Sequence, residues 1–193
     1  MIRRVELRKF KCFSDKTIPV APLTLFTGLN AAGKSTVLQS LIFLHQALLE
    51  RGREAAVDRD LIPLNGSVLR FGSVRDVVDK TVGGDSFAIS LYGDLMSIAW
   101  EFQGDRDDLA VQVSNVQAWT EASKTTIDAQ HQLFPSALAR EQPGASLLST
   151  LSDLRYVPAD RLGPAETYPL EDRKRHGSLG ARAEHTFAAN FSR

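Results

Sequence analysis

Eight residues near the N-terminus have the types and spacing to grip a chain of phosphates. Gly28-Leu29-Asn30-Ala31-Ala32-Gly33-Lys34-Ser35 fits G-x-x-x-x-G-K-[ST] at every fixed position. Gly28 and Gly33 let the backbone wrap an anion where a side chain would collide. The successive N–H groups of Leu29, Asn30, Ala31 and Ala32 make an anion nest, and the start of the following helix adds its partial positive charge. Ala31 and Ala32 stand where glycine or serine is common; alanine is small and keeps its N–H. Lys34 supplies a point charge for the β- and γ-phosphates. The Ser35 hydroxyl is placed to ligate Mg²⁺, and Thr36, one residue on, to donate to the α-phosphate. The bland alternative is a glycine-rich strand-to-helix turn with no ligand. The complete pattern in its strand–loop–helix setting favours nucleotide binding, so ATP and Mg²⁺ are the expected cofactors, held by Gly28 to Thr36 with Ser35 on the metal.

The flanking pattern supplies elements to hold that loop. Ile2 to Phe10 alternates, with Val5 and Leu7 on one face and Arg4, Glu6 and Arg8 on the other, which reads as an edge-like strand. Thr17 to Val20 reads as a second, short strand. Pro22 introduces Leu23-Thr24-Leu25-Phe26-Thr27, an apolar run expected as a buried strand that Gly28 ends. From Ser35 to about Glu50, Val37, Leu38, Leu41, Ile42, Leu44, Leu48 and Leu49 recur at helical intervals, and Arg51-Gly52 supplies a stop. Val68 to Phe71 reads as a strand and Val74 to Lys80 as one or two helical turns. Phe87–Tyr92, Met96–Gln103 and Leu109–Val116, with Gly-Asp pairs at 93–94 and 104–105, predict an antiparallel meander spanning about 86–116. A helical insertion is expected over about 119–151, including a piece at Leu147–Leu151, then a strand at Arg155–Val157 stopped by Pro158. These elements set an ATP-binding lobe at 1–165 and a polar tail at 166–193, ordered if at all by a partner.

The neighbourhood of the loop carries a family resemblance. Val5 to Phe13, Ile18, Leu23 to Asn30 and Gly33 to Gln39 together resemble the N-terminal lobe of SMC/RecF-like ATPases, which are ABC-type P-loop proteins often grouped as AAA-family ATPases. Leu64-Asn65-Gly66, Gly72-Ser73-Val74-Arg75-Asp76 and Tyr156 to Pro164 look like the OLD-like, anti-phage-defence branch. The first 45 residues carry the specific part, and the rest matches in scattered pieces. The resemblance implies an α/β fold: a P-loop core with an ABC-like antiparallel β subdomain and helical insertions. It also implies that ATP clamps two lobes together in a homodimer, coupled to DNA processing by a partner nuclease.

Two parts of such an ATPase are not evident. One is an apolar strand ending in Asp-Glu, which holds Mg²⁺ and polarises water. The other is a signature segment that caps the γ-phosphate across a dimer. Asp94 is followed by Leu95 and Asp160 by Arg161, so both read as ordinary turn aspartates, and Ser178-Leu179-Gly180 is too short for a signature. No catalytic residue is assigned. The sequence reads as the N-terminal half of the machine, its C-terminal half a partner.

The remaining candidates have plain readings. Arg3, Arg4, Arg8, Lys9 and Lys11 suit phosphate contacts, but a charge-protected strand edge accounts for them better. His45 reads as a packed helix residue, Cys12 as a small buried hydrophobe. His131, His176 and His185 lack metal-ligand spacing. Gln103, Gln112 and Gln117 compete without resolution as water-sensing glutamines, and Arg161 as a phosphate ligand or an ion-pair partner.

Composition bounds the rest. The chain has 193 residues, 43% of them apolar and 24% charged, with 23 basic and 23 acidic side chains. Zero net charge argues against a dedicated nucleic-acid binder, leaving nucleic acid a weakly supported partner. The total averages unlike segments: net +4 over 1–50, −6 over 51–170 and +2 over 171–193. One cysteine, no secretory leader and no membrane-length apolar run fit a reducing, cytoplasmic setting without membrane contact. Two other classes remain: a complete small-molecule P-loop kinase, which the antiparallel meander speaks against, and a non-catalytic module holding ATP as a structural ligand.

Overall fold

The computed structural model describes residues 1–50, 61–66, 68–120, 127–128, 133–134 and 142–157. The chain divides into two units, Met1–Ser152 and Asp153–Arg193. In the second, Tyr156 makes a single bridge rather than the expected strand. The stretch 51–60, the Asp160–Arg161 pair, His131, His176, His185 and the polar tail lie outside the described residues.

The first unit is a mixed α/β structure built on one sheet. Its elements are β1 (Ile2–Phe10), β2 (Phe13–Pro19), α1 (Lys34–Glu50), β3 (Leu61–Pro63), α2 (Val74–Val77), β4 (Ser86–Gly93), β5 (Met96–Gln103), β6 (Ala110–Thr120), β7 (Ile127–Asp128) and α3 (Gln142–Ser152). The seven strands run in the order β2-β1-β4-β5-β6-β3, with β7 also on β6, and every pairing is antiparallel. β1 is therefore interior rather than an edge: β2 flanks one side and β4 the other. The alternation read from its sequence holds, since Val5 and Leu7 are wholly buried opposite Leu91 and Ile89.

The meander is present: its middle strand has the expected bounds, Met96–Gln103, and the two outer strands are longer than their periodicity predicts. Its third strand runs through Trp119 and Thr120, and residues 127–128 are extended, so the expected insertion is not helical there. Cross-strand bonds to Met96 and Ser97 outweigh local propensity. The helix that does form, α3, starts with Pro143 in its first turn, where the missing N–H costs nothing.

The core lies where α1 crosses the sheet. Phe43 of α1 sits among Phe71, Phe87 and Phe102 with ring centroids 5.3–6.1 Å apart, and Phe10 joins through Phe71 and Phe87. Phe87 and Phe102 stack at 4.9 Å. Aromatic pairs at such spacings add about 0.5–1.5 kcal/mol each beyond burial. On the same face Trp100 donates from Nε1 to the Leu133 carbonyl, 2.6 Å away. His45, 3% exposed, sits 2.7 Å from the Leu151 carbonyl and ties α1 to α3, the packed role expected of it. The opposite face is polar: Arg4 lies 3.6 Å over the Tyr92 ring, whose hydroxyl donates to Glu6 at 2.8 Å.

Residues 64–66 and 68–79 form a clasp rather than the strand expected at 68–71. The Asn65 side chain donates to the Gly72 carbonyl (2.7 Å) and accepts from the Gly72 N–H (2.9 Å). Gly72 has φ +94°, and a Cβ there would meet Asp76 Oδ2 at 2.6 Å. Asp76 caps α2 by accepting from the Ser73 N–H and hydroxyl, both at 3.1 Å. Gln46 of α1 accepts from the Val68 and Leu69 N–H groups and closes the far side.

Leu23 to Thr27 departs most from expectation. It is not a strand and it is not buried: Leu23 is 90% exposed and Leu25 82%. No described strand lies beside it, and Thr24 Oγ1 instead closes a turn on the Ala21 N–H and carbonyl. An apolar strand without pairing neighbours has no ladder to hold it extended.

Two measurements check this architecture. Phe43→Ala should cost about 3–5 kcal/mol in chemical denaturation, the usual penalty for emptying an aromatic core site. The hydrogen bonds from Ser73 hold Asp76, and those from the N-terminus and Arg3 hold Asp94, below the ordinary 3.8. Their stabilisation is present above that value and lost as pH falls through the depressed ones, so acid titration should destabilise the native chain below about pH 4. Asp76→Asn should flatten that slope.

Candidate functional site

The phosphate-binding pattern forms the turn that enters α1. Gly28 has φ +141°, Ala31 +66° and Gly33 +87°, so the chain reverses through three left-handed positions. Ala31 bears a strain that only its small side chain keeps modest. Ala32 N donates to the Leu29 carbonyl at 3.3 Å, and Val37 N to Gly33 at 3.2 Å, where the helix begins. Gly28, Leu29, Asn30, Ala31, Ala32 and Ser35 are exposed, Lys34 and Thr36 half-buried and Gly33 buried.

Lys34 folds over its own loop. Its Nζ donates to the carbonyls of Gly28 (2.8 Å) and Leu29 (2.6 Å), which anchors the ammonium across the mouth of the turn. The polar groups that the loop carries are one ammonium, a run of backbone N–H groups and the Ser35 and Thr36 hydroxyls. Every member suits a polyphosphate with its divalent cation, and none is a soft ligand.

The β1–β2 hairpin braces this turn. Its tip, Lys11-Cys12, leans on the loop: a Cβ at Gly33 would meet Cys12 Sγ at 2.9 Å and collide with the Phe13 ring. Cys12 is exposed rather than buried, its Sγ 3.7 Å from Thr36 Oγ1. Neighbouring Phe13 takes the packing position against Gly33 instead. Lys11, with φ +56°, donates from its backbone to Val77 (2.6 Å), while the Lys9 carbonyl accepts from Asp79 N (2.9 Å). The hairpin tip thus bridges the glycine loop and the α2 segment.

The N-terminal cations do not gather at the loop. Arg3 pairs with Asp94, Arg8 with Glu101 at 3.4 Å, and Arg4 stacks on Tyr92. Asp94 is thereby a structural turn residue, also held by the N-terminal amine at 2.9 Å. Lys11 is the exception. Its Nζ reaches Gln39 Oε1 on α1 at 2.9 Å and lies 4.6 Å from the Phe71 ring. Burial pushes its pKa down, against the pull of Asp76. Composition does not distinguish Lys11 from its neighbours; the signal is its place in a two-residue hairpin loop. Of the candidate glutamines, Gln103 donates to Asp85 at 3.2 Å, and Gln112 and Gln117 are exposed on β6. Among the described residues no three His, Cys, Asp or Glu side chains cluster as a metal site, and no helix is long and apolar enough to cross a membrane.

Residues 1–136 match the AAA ATPase domain family, a span that takes in the glycine loop, its helix and the whole sheet. The chain belongs to that family. ATP is the nucleotide that membership in this ATPase family implies. The ATPase domain also shares shorter stretches with curated proteins. It is 39% identical over 41 residues to the OLD nuclease of Thermus scotoductus, covering 21% of this chain and 8% of that protein. It is 28% identical over 82 residues to the DNA replication and repair protein RecF of Lactococcus lactis (42% and 22%). It is 34% identical over 67 residues to RecF of Herpetosiphon aurantiacus (34% and 17%). These similarities place the ATPase domain with the N-terminal part of SMC/RecF-like proteins of the OLD branch, as the motifs imply. The chain spans less than a quarter of each relative's length.

Gly33→Ala tests the brace. The left-handed backbone alone costs roughly 1–2 kcal/mol for a side chain, and Phe13 must also give way. Tm should fall by about 2–8 °C in thermal denaturation.

Proposed function

We propose that this ATPase domain binds Mg-ATP through Gly28 to Thr36 and works as one lobe of an SMC/RecF-like ATPase. The observation that carries the reading is the Gly28–Ser35 turn, with Lys34 laid across its mouth and the Ser35 hydroxyl exposed beside it. In this reading the Lys34 ammonium leaves the Gly28 and Leu29 carbonyls and moves onto the β- and γ-phosphates. The freed loop keeps its N–H groups turned to the anion. Ser35 orients its hydroxyl to the cation, Thr36 contacts the α-phosphate, and Gly33 keeps the backbone against Phe13. When bound, Mg²⁺ offsets phosphate charge and makes the γ-phosphoryl group a better electrophile.

The exposed run at Leu23–Thr27 fits the same reading. It enters the loop as the strand of a P-loop core would, and it lacks pairing neighbours among the described residues. We infer that the strands which cover it, and the acid pair and signature segment, come from the rest of the ATPase or a second lobe. Similarity to an OLD nuclease and to RecF favours a DNA-processing or phage-defence role in a cytoplasmic, ATP-gated dimer acting with a nuclease.

The 193-residue chain should bind ATP weakly and turn it over slowly. Lys34→Ala should weaken ATP binding by about tenfold or more in calorimetry, the worth of a charge-assisted contact. Fast hydrolysis abolished by Lys34→Ala would show that the chain already contains its general base, and would sink the two-part reading.

A further inference from the structure

Lys11, Cys12 and Phe13, at the tip of the β1–β2 hairpin, each meet the start of α1. Lys11 Nζ donates to Gln39 Oε1 at 2.9 Å, Cys12 Sγ donates to Thr36 Oγ1 at 3.7 Å, and the Phe13 ring fills the space beside Gly33. Positions 33, 36 and 39 lie three residues apart, so the tip follows one side of the helix start. It is also held from behind. The Lys11 N–H donates to the Val77 carbonyl at 2.6 Å, and the Asp79 N–H to the Lys9 carbonyl at 2.9 Å. Lys9 and Lys11 both have left-handed backbone, φ +52° and +56°, which a lysine side chain disfavours. Such residues persist only where their surroundings over-determine them. These bonds do so, and they make the tip a fixed support for the glycine loop.

Thr36 is where that support meets the loop's chemistry. Among the described residues its side chain makes one hydrogen bond, which it accepts from the Cys12 thiol. A helical threonine often turns its hydroxyl back onto a carbonyl three or four residues earlier. Thr36 makes no such bond among the described residues. A hydroxyl carries one donor and two lone pairs. With the thiol on a lone pair, the Thr36 proton stays unspent. Sulfur is a weak acceptor, so the thiol fixes the oxygen without capturing that proton.

We propose that the hairpin tip positions Thr36 for the nucleotide: the Cys12 thiol donates to Thr36 Oγ1 and so turns the hydroxyl's own proton outward, onto the α-phosphate. Cys12 is then a positioning residue, acting through Thr36 and touching no phosphate itself. Phe13 at Gly33 and Lys11 at Gln39 hold it in place on either side. This role rests on Gly28 to Thr36 being the Mg-ATP site.

The test titrates the full chain with Mg-ATP by calorimetry, and separately with the two diastereomers of ATP that carry sulfur on the α-phosphate. Cys12→Ala should weaken ATP by about threefold, the worth of one weak hydrogen bond. Cys12→Ser keeps a donor and should recover most of that loss. Sulfur accepts poorly, so the parent chain should bind one diastereomer about threefold more weakly than ATP. That margin should close in Cys12→Ala and return in Cys12→Ser. On a Thr36→Val background Cys12→Ala should cost nothing further. Cys12 is exposed, so Cys12→Ala should move Tm by no more than about 2 °C. Should Thr36→Val unfold, the serine rescue and the diastereomer margin carry the test. Unchanged ATP affinity in Cys12→Ala, an equal loss for ATP and both diastereomers, or full additivity with Thr36→Val overturns the role of Cys12. ATP binding that requires Lys34 but ignores Cys12 overturns that role alone. No ATP binding, or binding indifferent to Lys34→Ala, overturns the glycine-loop reading and the role of Cys12 with it.

Discussion

Insertion of Phe43 into the aromatic cluster on the sheet fixes where α1 can lie, and with it the start of that helix. α1 has no acidic residue in its first turn and no basic residue in its last, so capping charges contribute little to its placement. Phe10, Phe71, Phe87 and Phe102 decide it instead. Phe10 is also the last residue of β1. One cluster therefore sets both the helix that follows the glycine loop and the hairpin tip that presses on it. The angle between the two is a packing outcome rather than a loop preference, which explains how an exposed turn keeps three left-handed residues in register.

The polar stitching then extends that placement. Gln39 receives Lys11 on one side of α1, and Gln46 receives Val68 and Leu69 further along. His45 fixes α3. These are single hydrogen bonds worth about 1 kcal/mol each, and they act on a helix already seated by its apolar face. Their value lies in selecting one rotation of the helix among several that would bury Phe43 equally well.

Much of this was legible in the sequence because it rests on local pattern. Period-two alternation in β1 and the meander, and the helical spacing from Val37 to Leu49, are written in neighbouring residues. The loop motif is legible for the same reason, since its chemistry needs fixed spacing. What escaped depends on partners distant in the chain. β1 looks like an edge because Arg4, Glu6 and Arg8 are charged. Yet Tyr92 and Glu101 on strands far along the chain receive Arg4, Glu6 and Arg8, and the strand sits inside the sheet. Residues 119–120 extend β6 because their pairing energy comes from β5. Leu23–Thr27 reads as buried because it is apolar, but burial needs a surface to supply it, and no described strand does so. Lys11 was one cation among five until the hairpin turned it inward.

The position of Lys34 links two properties that mutagenesis usually treats apart. Its ammonium screens the carbonyl dipoles of two consecutive residues, Gly28 and Leu29, whose oxygens both lie against it. The same charge thus acts as the loop's internal counterion before any phosphate arrives. An incoming anion must compete with those carbonyls, so affinity measures a difference between two occupied states rather than the filling of a bare site. Neutralising Lys34 would also let the carbonyls repel and the turn open, shifting the loop's resting shape as well as its grip.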